Sequence, residues 1–261
     1  MYEFEFVKPG TVEEAVAALA AEDAQALGGG QTLIPTLKQR LASPSKLVSL
    51  AGIAGMQGIS AGDGGVRIGG AATHGAVAAG AGAYPALAAL ASHIGDPAVR
   101  NRGTIGGSLA NNDPSADYPA AALASGATIV TDRREIAADD YFTGLFETAL
   151  DEGEIITAVN FPIPQAAAYQ KFEQPASRFA LVGVFVARFA DGVRVAVTGA
   201  SEGGVFRWSD AEAALDAGFS AAALDGLSLS ADGMIGDLHG TPEYRAHLVG
   251  VMAKRAVAAA G

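Results

Sequence analysis

Polar and apolar residues over 3–7 alternate like a short strand, and Pro9 and Gly10 end the pattern. Thr11, followed three residues on by Glu14, reads as a capping box, in which a hydroxyl and a carboxylate satisfy N–H groups at a helix start. That helix runs to about residue 21. A strand over residues 25–27 delivers the chain into Gly28, Gly29, Gly30 and Gln31. Beyond it Leu33, Ile34, Leu37 and Leu41 recur at helical spacing, with Thr32 where an N-cap belongs.

Short strands are expected at residues 46–50, 56–60 and 66–69, with Gly62-Asp63-Gly64-Gly65 as a hairpin turn. Thr73 caps a small helix and residues 86–94 form another. Asp96-Pro97 then turns the chain into a glycine-bearing loop, residues 100–118. A helix over residues 119–125 ends near Gly126, and residues 127–131 form a buried strand. Residues 139–146 read as a surface segment, and residues 154–161 as a strand closing the first region.

Phe161-Pro162-Ile163-Pro164 interrupts that strand and marks a domain boundary, because proline removes a donor and fixes φ. The expected domains are 1–163 and 164–261. The second begins with residues 168–173 and continues through two strands, 178–189 and 193–199, joined at Asp191-Gly192. Ser209 and Asp210 open a short helix, residues 219–224 suggest another, and Thr241-Pro242 opens the last. Its stripe is Tyr244, Leu248 and Val251, with Lys254 and Arg255 towards its end.

Composition narrows the function classes. With 261 residues and 50% of them hydrophobic, the chain can bury a sizeable core. A formal net charge of −11 gives no electrostatic footprint for nucleic acid or for an anionic membrane surface. There is no cysteine, which excludes disulfides, thiolate chemistry and an iron–sulfur cluster ligated in the usual way by this chain. The clearest apolar run, residues 179–187, is far short of the about 20 residues that span a bilayer. Residues 1–9 carry neither a basic n-region nor an apolar h-region, so a cytoplasmic protein is expected.

The candidate chemistry lies in residues 100–118. Gly103, Gly106 and Gly107 free the backbone for positive φ and for close approach of its N–H groups to an anion. Thr104 and Ser108 add hydroxyls, and Asp117 can accept from sugar or base donors, which points to a nucleotide cofactor. Neither a Walker loop nor a Gly-x-Gly-x-x-Gly fingerprint occurs. His74, after a turn, is a tempting proton carrier, but the plain loop residue is the favoured reading and it is not counted among the site residues. His93, His239 and His247 lack ligand spacing, so no metal site is expected. No Gly-x-Ser-x-Gly elbow or Cys/His pair supports hydrolysis. Glu13/Glu14 and Asp139/Asp140 read as a helix start and a solvated turn.

Gly28-Gly29-Gly30-Gln31-Thr32-Leu33 and Gly103-Thr104-Ile105-Gly106-Gly107-Ser108 together resemble the two flavin-binding motifs of the flavoprotein subunit of molybdenum hydroxylases. The medium subunit of aerobic carbon monoxide dehydrogenase and the flavin domain of xanthine dehydrogenases carry this module. The likeness extends through residues 94–102, 151–156 and 169–172, over almost the whole chain. It implies an α+β protein, with a two-lobed flavin domain of the vanillyl-alcohol-oxidase type and a smaller C-terminal domain built on an antiparallel sheet.

The same resemblance implies that Gly28, Gly29, Gly30, Gln31, Thr32 and Leu33 bind the FAD pyrophosphate and ribityl chain. Thr104, Ile105, Gly106, Gly107 and Ser108 form the second arm, Asp117 contacts the nucleotide part, and Ile94 and Ile156 add apolar contacts. Gln31 stands where histidine or another polar residue is often seen and Ser108 where asparagine is usual, both still offering hydrogen bonds; Glu173 stands where some relatives place a lysine near the flavin, and Lys171 is a candidate substitute for that lysine. The implied role is an oxidoreductase subunit without catalytic residues of its own, working with a molybdopterin-binding large subunit and an iron–sulfur small subunit. Electrons would pass through FAD to an external acceptor. A self-contained FAD-dependent oxidoreductase, or a non-catalytic protein that has kept only the fold, are the alternatives.

Overall fold

The computed structural model describes residues 1–260, organised by three larger sheets and a two-stranded one, Phe142–Gly144 with Glu147–Thr148. The first is parallel. Strand Lys46–Ser49 lies between Glu5–Val7 and Ala24–Leu27, and the helix Val12–Leu19 crosses between the two flanking strands. The capping box forms with one variation: Thr11 Oγ1 accepts from Glu14 N–H at 3.2 Å, while Glu14 Oε2 reaches past Thr11 to accept from Gly10 N–H at 2.7 Å.

The second sheet is antiparallel, in the order Ile59–Gly62, Gly65–Gly69, Ile156–Pro162, Thr128–Thr131, Glu135–Ala137. Between its second and fourth strands in that order the chain makes a helical excursion: His74–Gly80, Pro85–Ser92, Pro97–Arg100, Ile105–Asn111 and Tyr118–Ser125. The stretch expected as a loop over residues 100–118 is therefore mostly the start, body and exit of helix Ile105–Asn111, N-capped by Thr104. Glycine content signalled a loop there, but the Thr104 cap and the apolar pair Ile105 and Leu109, both fully buried, decide for helix.

The third sheet is an antiparallel meander of Ala166–Glu173, Ala180–Phe189, Gly192–Thr198 and Phe206–Arg207. Its central strand is apolar on both faces for a physical reason. Val182, Val184 and Val186 pack under helices Ser209–Ala217 and Pro242–Ala260, whereas Phe185 and Ala187 join the core of the second sheet. Thr198 Oγ1 donates to Ala116 O at 2.7 Å and Arg194 donates to Leu123 O, so the meander is bound to the loop and helix after the second glycine motif.

Several expectations are corrected. Helix Leu33–Lys38 stops before Leu41, which is 74% exposed, because Arg40 turns into the left-handed region at φ 61°. Residues 54–56 make a 3-10 turn, so the strand expected at 56–60 starts only at Ile59. Residues 139–146 are not simply surface: Tyr141 is fully buried and its hydroxyl donates to Leu109 O at 3.2 Å. Asp139 is exposed, as expected, and also pairs with Arg194 at 2.6 Å. Residues 219–224 contain a 3-10 turn over Ala221–Leu224 rather than an α-helix. In helix Pro242–Ala260 Leu248 is buried and Val251 half-buried as expected, but Tyr244 remains exposed and the buried face also carries Arg245, Val249, Met252 and Ala256. The burial of Arg245 shifts that stripe, since its guanidinium donates to Leu181 O and Gly199 O, each at 2.7 Å, and pairs with Asp237.

Candidate cofactor-binding site

A cleft of about 610 Å³ runs between the parallel sheet and the helical excursion, with the loop between strands Ala166–Glu173 and Ala180–Phe189 at its edge. That volume suits a small-molecule or cofactor site. Both glycine motifs line it. Gly28, Gly29, Gly30, Gln31, Thr32 and Leu33 form one wall; Gly103, Thr104, Gly106, Gly107 and Ser108 form the facing one. Ile94, Asp117 and Ile156 line it as well.

The two motifs contribute differently. Among the described residues, no N–H group of residues 28–33 donates to a protein acceptor. These are consecutive free donors where strand Ala24–Leu27 ends and helix Leu33–Lys38 begins, an arrangement that suits oxyanions. Thr32 sits at the N-cap position but its hydroxyl makes no capping bond, so it too stays available.

The second motif has used most of its donors. Ile105 N–H goes to Ala72 O at 3.1 Å, Gly106 N–H to Gly70 O at 2.9 Å, and Gly107 N–H to Thr104 Oγ1 at 3.1 Å. The expectation that this segment presents free N–H groups is therefore corrected: it is stitched to residues 70–74, and it offers the Ser108 hydroxyl and glycine surface instead. Ile105 does not face the cleft, since its side chain is fully buried in the second core. Gly106 is glycine for the same packing reason, because a Cβ there would stand 2.5 Å from Gly70 O. Substitution at Gly106 would thus act by prising these segments apart rather than by filling the cleft.

Lys171 does not line the cleft either. Its ammonium is buried and fully committed, at 3.1 Å from Asp117 Oδ1 and donating to His93 O at 2.8 Å and to Arg178 O at 2.9 Å. Tyr169 donates to Asp117 Oδ1 at 2.6 Å. Burial pushes the Asp117 carboxyl upward, and Lys171 and Tyr169 oppose that shift. Glu173, at the other position considered for a cation, lies 3.5 Å from His93.

His74 is the first residue of a helix rather than a loop residue, and it lines the cleft while 5% exposed. Its N–H donates to Gly103 O at 2.9 Å, and its Nδ1 is buried without a partner. Burial, and then the charge of Arg100, push its pKa down to about 4. A depressed folded value means that the associated stability is complete above the unfolded pKa of about 6.5 and is lost as pH falls towards 4, up to on the order of 3 kcal/mol. In urea melts between those pH values, His74→Gln should lose less stability on acidification than the parent; equal slopes would contradict this.

Sequence reasoning missed Arg178 and Phe179, which line the cleft from the loop after strand Ala166–Glu173, and Glu154. Hydrogen bonds from Arg134, with help from Asp151 N–H and Thr131, hold the Glu154 carboxyl down at about 2 against the effect of burial. Glu154 lies in the quoted 151–156 stretch and was within reach of a motif reading. Arg178 carried no signal, because only the return of the meander brings it to the cleft.

Comparison with known proteins gives concordant results. The family model described as the FAD-binding domain in molybdopterin dehydrogenase matches residues 2–164. The nicotine 6-hydroxylase medium subunit of Paenarthrobacter nicotinovorans is 35% identical over 98% of this chain and 96% of its own length. The carbon monoxide dehydrogenase medium chain of Afipia carboxidovorans is 32% identical, over 97% and 95%. Among solved structures, a chain of carbon monoxide dehydrogenase from Hydrogenophaga pseudoflava superposes with a TM-score of 0.89 at 33% identity, covering 99% of this chain and 97% of that one.

Proposed function

The chain belongs to the FAD-binding medium subunits of the molybdenum hydroxylases, and we propose that within this family it is a relay. It would receive electrons from iron–sulfur clusters of a small subunit, fed by a molybdopterin-binding large subunit, and pass them to an external acceptor, in the cytoplasm. Among the described residues no helix is long and apolar enough to cross a membrane. Bound FAD supplies the ability to take up and release electrons; the protein holds and tunes it.

The observation that carries the reading is the run of free N–H donors at residues 28–33, facing a glycine surface across the cleft. Gly28, Gly29, Gly30, Gln31, Thr32 and Leu33 would hold the pyrophosphate without a basic side chain. Thr104, Gly106, Gly107 and Ser108 would close on its other side, Ile94 and Ile156 would give apolar cover, and Asp117 would accept from a hydroxyl or ring N–H. Ile105 and Lys171 would act behind this lining. The family match ending at residue 164 supports a flavin domain over 1–163 and a C-terminal domain over 164–261.

A self-contained oxidoreductase needs a free acid or base near its substrate. Of the carboxylates lining the cleft, Asp117 and Glu154 are committed to ion pairs, with Lys171 and Arg134, and Asp113 accepts from Ser115 N–H at 2.9 Å; this favours the relay and leaves the buried His74 imidazole as an unpartnered base. The test is the visible spectrum of the purified chain after incubation with FAD and removal of excess, repeated on the chain co-expressed with its partner subunits. A flavin spectrum with FAD identified by mass is expected. A colourless protein in both preparations would sink the reading.

A further inference from the structure

Arg178 is the one Lys or Arg among the residues lining the cleft, and among the described residues its guanidinium makes neither an ion pair nor a hydrogen bond. Its backbone is held firmly. The residue sits in the left-handed region at φ 62°, its N–H donates to Gln174 O at 2.8 Å, and Gln174 N–H donates to Phe179 O at 2.9 Å. Arg178 O is in turn held by buried Lys171, whose other partners, Asp117 and His93 O, belong to the start of one helix and the end of another. A single ammonium thus ties the cleft's carboxylate to the carbonyl of its free cation.

We propose that Arg178 supplies the positive charge that the cleft offers to an anionic cofactor, and that Lys171 is the positioning residue that aims it. The proposal rests on the reading of this cleft as an FAD site. The free donors at residues 28–33 solvate an oxyanion but carry no formal charge, and the remaining charged side chains of the cleft, Asp113, Asp117 and Glu154, are acidic. The backbone hydrogen bonds fix the Arg178 Cα at the cleft edge, which narrows the space its guanidinium can search and lowers part of the entropy cost of pairing with an anion. The Asp117–Lys171 pair is then the anchor of a strap across the cleft edge. It also explains why a lysine is buried so completely at a position that touches no ligand space.

The test is FAD affinity, by flavin fluorescence titration at low and high ionic strength, for the parent, Arg178→Ala, Lys171→Met and the double variant, together with trypsin cleavage after Arg178 in ligand-free protein. Arg178→Ala is expected to weaken FAD binding about tenfold at low ionic strength and less at high, as a charged contact at an exposed site should. Lys171→Met should weaken it similarly, the double variant no further, and trypsin should cut Lys171→Met faster than the parent. FAD should protect the parent from that cut. An Arg178→Ala protein that binds as the parent does overturns the charge role. Losses that simply add in the double variant, or unchanged proteolysis of Lys171→Met, overturn the positioning role. A parent that binds no FAD, alone or with its partners, refutes the cofactor reading itself and is thereby distinguished from either result.

Discussion

Gly29→Ala is expected to abolish FAD retention, raising the dissociation constant by more than about a hundredfold, and to lower stability by about 1–3 kcal/mol through overpacking. A Cβ on Gly29 would coincide with the carbonyl group of Arg102 and stand 2.6 Å from Gly103 Cα. The obstacle is backbone, and it is braced: Gly103 N–H donates to Val99 O at 2.8 Å while Gly103 O accepts from His74 N–H at 2.9 Å. The methyl group must therefore push the first motif away from the second, widening the gap across which the two grip a ligand. Gly58→Ala is the control, since no heavy atom lies within 4 Å of its added carbon. Flavin fluorescence titration and thermal melts of both variants check the pair; a Gly29→Ala protein that retains FAD as Gly58→Ala does would show that the motifs do not work by contact.

The second large effect is on stability. Asp117→Ala leaves the Lys171 ammonium buried beside two carbonyls without its counter-ion, and removes the acceptor of the Tyr169 hydroxyl. Breaking such a pair from one side costs about 3–5 kcal/mol, most of it the stranded charge. Adding Lys171→Met removes that charge, so the double variant should be more stable than Asp117→Ala alone by at least about 1 kcal/mol. Urea unfolding midpoints at neutral pH measure both. A double variant no better than the single one would mean that the hydrogen-bonded loop, rather than the ion pair, is what Asp117 supports.

Secondary structure was legible at several points where local chemistry governs it, although the equally local Thr104 cap lay hidden among glycines. Thr11 with Glu14, Thr73 ahead of His74, and Gly62-Asp63-Gly64-Gly65 act within four residues of themselves, and each forms the element its pattern implies. The expectation failed where a distant partner decides. Tyr141 is buried because Leu109 O takes its hydroxyl, and the last helix turns Arg245 inward because two strand-end carbonyls await it. Neither fact has a trace in the hydrophobic period of its own segment.

The same division runs through the site. Residue types and short spacings are enough to reveal two glycine motifs, to exclude thiolate chemistry and to give the chain the pattern of a flavoprotein subunit. Tertiary structure decided which motif holds the free donors. Residues 28–33 keep theirs, whereas Ile105 and Gly106 lose theirs to residues 70–72. It also moved Lys171 behind the cleft and brought Arg178 to its edge. Those assignments depend on which backbone lies opposite, a relation between segments tens of residues apart, and hydrogen bonds once made across that distance are no longer available to a ligand.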